Sequence, residues 1–231
     1  MKNQLKITTW NVNGLRAAIR KGFGKHLAEI APDVLLLQEV RATPDQLPKE
    51  WQNPAGWHVV WNPAQKPGYA GTAVWSRLPM DILGTGLADD HADEEGRVAR
   101  ARIGGAGGVE VASIYLPSGS SGEARQVEKE RWMAIFRPWA QAQLKRQHAV
   151  VLGGDLNIAI TPRDIFHAKS NEETSGFLPH ERKWMEELVT LGWRDFVRED
   201  FDAALARGDR AAVTGRFGVE GEGIDPAKHG P

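Results

Sequence analysis

Short apolar runs closed by Gly, Pro, Asp or Asn alternate along the chain with longer stretches in which apolar residues return every three or four positions. The first texture is that of strands and the second that of amphipathic helices, so the pattern predicts sheets flanked by helices. Strands are predicted over Leu5 to Trp10, Val34 to Gln38, Trp57 to Trp61, Gly71 to Ser76, Val98 to Ile103, Val109 to Tyr115 and Ala149 to Gly153. Val34 to Leu37 is apolar at every position, the mark of a strand covered on both faces. Several of these runs end in polar side chains, at the rim where a buried strand emerges and functional groups collect.

Three helices are predicted. Leu15 to Ala31 carries Ile19, Phe23, Leu27 and Ile30 at near-helical spacing, with Gly22 and Gly24 weakening it. Glu123 to Gln147 places Trp132, Ile135, Phe136 and Trp139 on one face, and Pro138 is expected to kink or end it. Pro179 to Leu191 groups Trp184, Leu188 and Leu191 and stops at Gly192. After Phe201 the texture becomes rich in Ala, Gly and charge, with neither a strand-like run nor a sustained apolar face. Residues 1–200 are therefore expected to form one α/β domain and residues 201–231 an irregular or disordered tail.

Composition narrows the chemistry. The 231 residues have room for one large domain, and nine Trp supply large rigid core pieces. With no cysteine, disulfides, thiolate metal sites and cysteine nucleophiles are excluded, so any metal must use oxygen or imidazole. The seven histidines form no HxH or HExxH pair, which argues against a zinc hydrolase. A net charge of −1 does not suit a non-specific nucleic-acid coat protein, but it leaves room for a nuclease with basic residues gathered on one face. Arg16, Arg20, Lys21 and Lys25 form one such group and Arg97, Arg100 and Arg102 another; each also reads as a solvated charged face. The N-terminal stretch lacks a signal-peptide core, and no apolar run approaches the roughly 20 residues that span a bilayer. A cytoplasmic protein with no membrane partner is the default expectation.

Three stretches carry candidate chemistry. In TWNVNGLRA a strand runs into Asn11, Asn13 and Gly14, whose amides could face a metal or phosphate or simply make a turn. In DVLLLQEVRA the carboxylate of Glu39 follows a buried strand, as a hard ligand for Mg²⁺ or as a surface acid. In VLGGDLNIA, Gly153 and Gly154 are expected to turn the backbone tightly, and Asp155 and Asn157 then project to the same side. Tyr115 reads either as a functional phenol or as a strand-end aromatic beside Pro117, and Tyr69 as a contact residue or a glycine-flanked loop aromatic.

TWNVNGLRA, LLLQEVRA, GYAGTAVWSR, DEEGRVARARI, SIYLPSG, GGDLNIAITPRDI and GFLPHERKWMEELVTLGWRDFVRE follow in this order over about residues 5 to 199. Together they resemble the exodeoxyribonuclease III and abasic-site endonuclease family. The resemblance implies a DNase I-like α/β fold, a four-layer sandwich of two packed mixed β-sheets flanked by helices. It also implies Mg²⁺ (or Mn²⁺) as cofactor and double-stranded DNA with abasic sites or 3′ ends as partner, for a protein acting as a monomer. Asn11 and Glu39 match the family's metal-site positions, with Glu39 the direct ligand. Tyr115 matches the tyrosine that reaches the scissile phosphate. Asp155 matches the acid that activates water or protonates the leaving oxygen, and Asn157 the residue that helps place that water or the phosphate. Tyr69 and Arg97 fall in motifs that contact the DNA backbone, with Arg41 near them.

The family continues with a Tyr-Thr-Trp strand, a Gly-Trp-Arg-Ile-Asp-Tyr stretch and a terminal Ser-Asp-His motif, which have no clear counterpart here. Gly223-Ile224-Asp225 and His229 are faint echoes. The last strands are therefore expected to be missing. Two functions compete: a DNA-repair phosphodiesterase that incises 5′ to abasic sites and trims 3′ ends, and a catalytically impaired DNA-binding remnant.

Overall fold

The computed structural model describes residues 4–209. The chain divides after Asn157 into two units. The first holds, in order, β1 (Ile7–Asn11), α1 (Leu15–Arg20), α2 (Phe23–Ile30), β2 (Val34–Gln38), α3 (Lys49–Gln52), β3 (His58–Asn62), β4 (Thr72–Ser76), β5 (Met80–Thr85), α4 (Asp90–Asp93), β6 (Val98–Ile103), β7 (Val109–Tyr115), α5 (Glu123–Gln143) and β8 (Val150–Asp155). The described part of the second holds α6 (Ala168–Asn171), α7 (Pro179–Thr190) and α8 (Phe196–Ala206). No helix among the described residues is long and apolar enough to cross a membrane.

The strands form two four-stranded mixed sheets, ordered β1-β2-β4-β3 and β5-β6-β7-β8. Each sheet contains one parallel pair, β1 with β2 and β7 with β8; the other pairings are antiparallel. The sheets pack face to face, with β1 and β2 against β8 and β7. This is the two-sheet α/β sandwich that the sequence led us to expect.

Strand β2 shows why its sequence is apolar throughout. Leu35 and Leu37 point outward into a cluster with Leu15, Phe23, Leu27 and Trp75, burying α1 and α2 against the sheet. Val34 and Leu36 point the other way, into the layer between the sheets with Val74, Ala99, Ala101 and Val111. Gln38 has the parity of Leu36, so its amide enters the interior, where it donates to Ser113 Oγ at 2.9 Å and to the Leu36 carbonyl at 3.1 Å. Ser113 in turn donates to the Leu37 carbonyl at 2.7 Å. This buried polar stitch satisfies its own donors and fixes the register of one sheet on the other. On the second sheet, α5 buries Trp132, Met133, Phe136 and Ala140, and Arg100 of β6 lies over the Trp139 ring.

The structure departs from the pattern at definite places. The first helical stretch is two helices, because Gly22 adopts φ 97° and ends the first turn sequence. Helix α5 continues through Pro138 to Gln143. Strand β5 gave no sequence signal because it is an edge strand with Ile82 65% exposed and a register shift beside Gly84. Residues 201–206, expected to be irregular, belong to α8, capped by Asp195 accepting from the Arg198 amide at 2.9 Å. The rest of the expected tail, with Asp225 and His229, lies outside the described residues.

Gly153 and Gly154 do not turn the chain. Both lie inside β8 and neither has a positive φ. A methyl group on Gly153 would come within 2.6 Å of Leu36 Cδ1, and one on Gly154 within 1.8 Å of the Ile114 carbonyl oxygen. These glycines serve close approach of the neighbouring backbone and the facing sheet, not a turn. Gly153→Ala should accordingly lower stability by about 1–3 kcal/mol through overpacking. The opposite change is available at Ala31, which closes α2 in the left-handed region at φ 45°, ψ 58°. Ala31→Gly should raise the urea midpoint, with a gain of about 1 kcal/mol from removing the Cβ clash.

Candidate active site

The two parallel strand pairs bring four chain ends to one rim. Asn11 at the end of β1 is in register with Gln38, which Glu39 follows, and Tyr115 at the end of β7 is in register with Asp155 at the end of β8. Because β1 and β2 face β8 and β7, these side chains converge where the sandwich opens. The loops leaving the rim are knitted by backbone bonds: Gly14 N to Glu39 O at 2.7 Å, Arg41 N to Ala70 O at 2.8 Å and Leu116 N to Asp155 O at 2.9 Å. Five of the eight described non-glycine residues with positive φ stand on these loops: Asn13, Glu39, Arg41, Ala70 and Asn157. Each such conformation costs on the order of 1 kcal/mol, and their concentration here marks a site whose geometry the fold imposes.

At the centre, Asn11 Nδ2 donates to Glu39 Oε1 at 2.9 Å and to Asp155 Oδ2 at 2.8 Å. Its Oδ1 accepts from the Asn13 amide at 3.0 Å, which fixes the orientation of the side chain. Asn11 therefore enters the site as a clamp on two carboxylates, nitrogen first. The other oxygen of Glu39 is paired with Arg41, and Tyr115 donates its hydroxyl to the same carboxylate. Burial alone would raise the Glu39 pKa; the hydrogen bonds from Asn11 and Tyr115 and the charge of Arg41 outweigh it, and the carboxyl sits below its usual range. Burial, followed by the Glu39 charge and hydrogen bond, pushes the Tyr115 hydroxyl well above the ordinary phenol range. Tyr115 is thus a neutral donor at any working pH.

Asp155 Oδ1 accepts from the Asn157 amide at 2.9 Å, so each carboxylate oxygen is oriented by one hydrogen bond. Asn157 has φ 48°, and its side chain turns back to donate to the Leu116 carbonyl at 2.8 Å instead of projecting beside Asp155. Lys129 of α5, fully buried, donates to the Asn157 carbonyl at 2.9 Å and holds this loop from beneath.

Tyr69 and Arg97 form a second group against Tyr115. The Arg97 guanidinium lies 4.7 Å from the Tyr115 ring centroid and 5.8 Å from that of Tyr69. At 2% exposure Arg97 is not on the surface that the resemblance implied, whereas Arg41 is 44% exposed. Sequence reasoning missed Glu95, Arg125 and Lys129, which support this group and the Asp155 loop. Glu95 sits inside the quoted DEEGRVARARI motif, but Arg125 and Lys129 lie on α5, where their charges read as an ordinary solvated helix face.

As metal donors, the residues that converge are Glu39 and Asp155, an all-oxygen pair. No group of three or more His, Asp or Glu with metal-binding arrangement occurs among the described residues. A pair of carboxylates suits Mg²⁺, which binds one or two carboxylates and fills its remaining positions with water and phosphate oxygens.

With this geometry, the chain belongs to the Endonuclease/Exonuclease/phosphatase family, whose model matches residues 8–229. It is 33% identical over 196 residues to the exodeoxyribonuclease of Bacillus subtilis (strain 168), covering 84% of this chain and 75% of that one. It is 32% identical over 195 residues to recombination repair protein 1 of Drosophila melanogaster, covering 84% of this chain but only 28% of that longer protein. Among solved structures it resembles an AP endonuclease from Archaeoglobus fulgidus, with a TM-score of 0.75 and 27% identity over 85% of this chain and 74% of the other. The chain is an enzyme by family, and its two-sheet fold is the family's.

The electrostatics predict a measurable order. In chelator, NMR titration should find Glu39 ionising below 4.5, the value of a free glutamate. Asn11→Ala and Tyr115→Phe should each raise it by removing a donor. Since the unfolded chain takes up this proton first, the stability contributed by Glu39 is present above pH 4.5 and is lost as pH falls through the lower folded value. A Glu39 pKa at or above 4.5 in the folded protein would contradict the clamp.

Proposed function

We propose that the chain is a divalent-metal-dependent DNA phosphodiesterase of base-excision repair. It cuts the backbone 5′ to abasic sites and removes nucleotides from 3′ ends of duplex DNA, acting as a cytoplasmic monomer. The observation that carries this reading is the convergence of Glu39, Asp155 and Tyr115 around the Asn11 amide, joined to relatives that are DNA nucleases by name.

Glu39, with Asp155 beside it, would hold Mg²⁺ or Mn²⁺. A cation there would supply charge neutralisation at the phosphoryl oxygens and the leaving alkoxide. Tyr115, kept protonated by its surroundings, would turn its single O–H from Glu39 to a non-bridging oxygen, a bond that gains strength as charge builds there. Asp155, oriented at one oxygen by Asn11 and at the other by the Asn157 amide, accepts the proton of the attacking water. Asn157 acts through its backbone, since its side chain is committed to Leu116. Arg41, exposed beside Glu39, and Tyr69 at the rim meet the DNA backbone.

The test is a duplex carrying one abasic site, incubated with the protein in Mg²⁺ and in chelator. Incision is expected with Mg²⁺ and not with chelator. Glu39→Ala and Asp155→Ala are each expected to lower the rate by about a thousandfold or more while the fold persists. Tight binding of the abasic duplex with no incision at any metal concentration would overturn this reading in favour of an impaired DNA-binding remnant.

A further inference from the structure

Arg97 is a charged side chain that almost no solvent reaches. It lies at 2% exposure, and each of its three nitrogens has a partner: Nε donates to Glu95 Oε2 at 2.6 Å, Nη1 to the Tyr115 carbonyl at 2.9 Å and Nη2 toward the Tyr69 hydroxyl at 3.4 Å. Its guanidinium also faces the rings of both tyrosines. Glu95, its counter-charge, is shared. Arg125 of α5 reaches Glu95 Oε1 at 3.0 Å and lies 5.7 Å from the Tyr69 ring centroid. The backbone completes the enclosure, with Tyr115 N donating to Arg97 O at 2.9 Å and Gly71 N to Glu95 O at 3.3 Å.

A group so enclosed offers almost no surface to a phosphate, and turning the guanidinium outward would disturb its bonds to Glu95, Tyr115 and Tyr69. A buried arginine is kept only where each of its contacts is satisfied, and here those contacts end on two tyrosines and one carboxylate. On the functional reading given above, Tyr115 must present its hydroxyl at one place beside Glu39. The ring that carries this hydroxyl has Arg97 against its face.

We propose that Arg97, locked by Glu95 and Arg125, is a positioning residue for Tyr115 and Tyr69 and makes no contact with DNA. Its guanidinium sets the angle at which the Tyr115 hydroxyl meets Glu39 and holds the Tyr69 ring at the rim. Glu95 and Arg125 act on the reaction through it.

The sequence provides an unusually clean readout, because Tyr69 and Tyr115 are the only two tyrosines among the 231 residues. Protein labelled with 3-fluorotyrosine gives two ¹⁹F resonances, assigned with Tyr69→Phe. In Arg97→Lys both resonances are expected to shift, and any loss of duplex affinity, passing only through the uncharged Tyr69, is expected to leave the salt dependence of binding unchanged. Incision should fall about a hundredfold in kcat, as for a misplaced catalytic group, with little change in KM. Glu95→Gln, which keeps the arginine and loosens its lock, should move the same two resonances in a smaller step; it also decides the matter should Arg97→Lys fail to fold. The proposal is overturned if both resonances stay in place in the folded variants. It is equally overturned if Arg97→Lys weakens duplex binding tenfold or more with a salt slope reduced by about one, the signature of a lost phosphate contact. If the wild-type protein does not incise DNA, the functional reading fails, and the two resonances still decide whether Arg97 positions the tyrosines.

Discussion

One amide group keeps two carboxylates side by side. Asn11 Nδ2 lies 2.9 Å from a Glu39 oxygen and 2.8 Å from an Asp155 oxygen, so those oxygens are at most about 5.7 Å apart. Two like charges at that separation repel by on the order of 3 kcal/mol at an effective dielectric constant of 20. Two charge-assisted hydrogen bonds of roughly 1.5–3 kcal/mol each can offset that cost. The arrangement is thus held in readiness for a positive charge, and the rest of the rim maintains it. Asn13 fixes the amide's orientation, Arg41 and Tyr115 compensate Glu39, and the Asn157 amide and Lys129 secure the Asp155 loop.

The fold exists around this point in a definite way. Parallel pairing of β1 with β2 and of β7 with β8 sends four strand ends to the same rim, and the Gln38–Ser113 stitch between the sheets sets their relative register. Gly153 lets the two sheets approach where a side chain would meet Leu36. A slip of one residue in either strand pair would turn Asn11 or Asp155 to the opposite face. The positive φ values at Glu39, Arg41, Ala70 and Asn157 show that the loops bend as the rim requires, against their own preferences.

Much of this was legible in sequence because burial leaves a strong pattern. The unbroken apolar run of β2 announced a strand covered on both faces, and Glu39 and Asp155 were conspicuous as acids where buried strands end. Edge strand β5 was silent, since an exposed Ile82 and a register shift erase alternation. Helix α8 was obscured by a first turn containing the exposed Phe196 and Val197, with Ala204 its only fully buried residue. The roles of individual polar residues were the least legible. Asn11 and Asn157 were recognised, yet nothing in their spacing tells a clamp or an Asx turn from a ligand. Arg97 looked like a surface cation because its partners, Glu95 nearby and Arg125 on a distant helix, come together only in the folded chain.

The most direct measurement of the carboxylate pair as a cation site is anomalous diffraction from crystals of the protein soaked in Mn²⁺, recorded for the wild type and for Asn11→Leu. The account predicts one strong peak in the wild type, at about 2.1–2.2 Å from a Glu39 oxygen and beside Asp155, and a much weaker peak or none in the variant. A manganese peak elsewhere with the Glu39 and Asp155 pair empty, or an equally strong peak at the pair without the Asn11 amide, would contradict it.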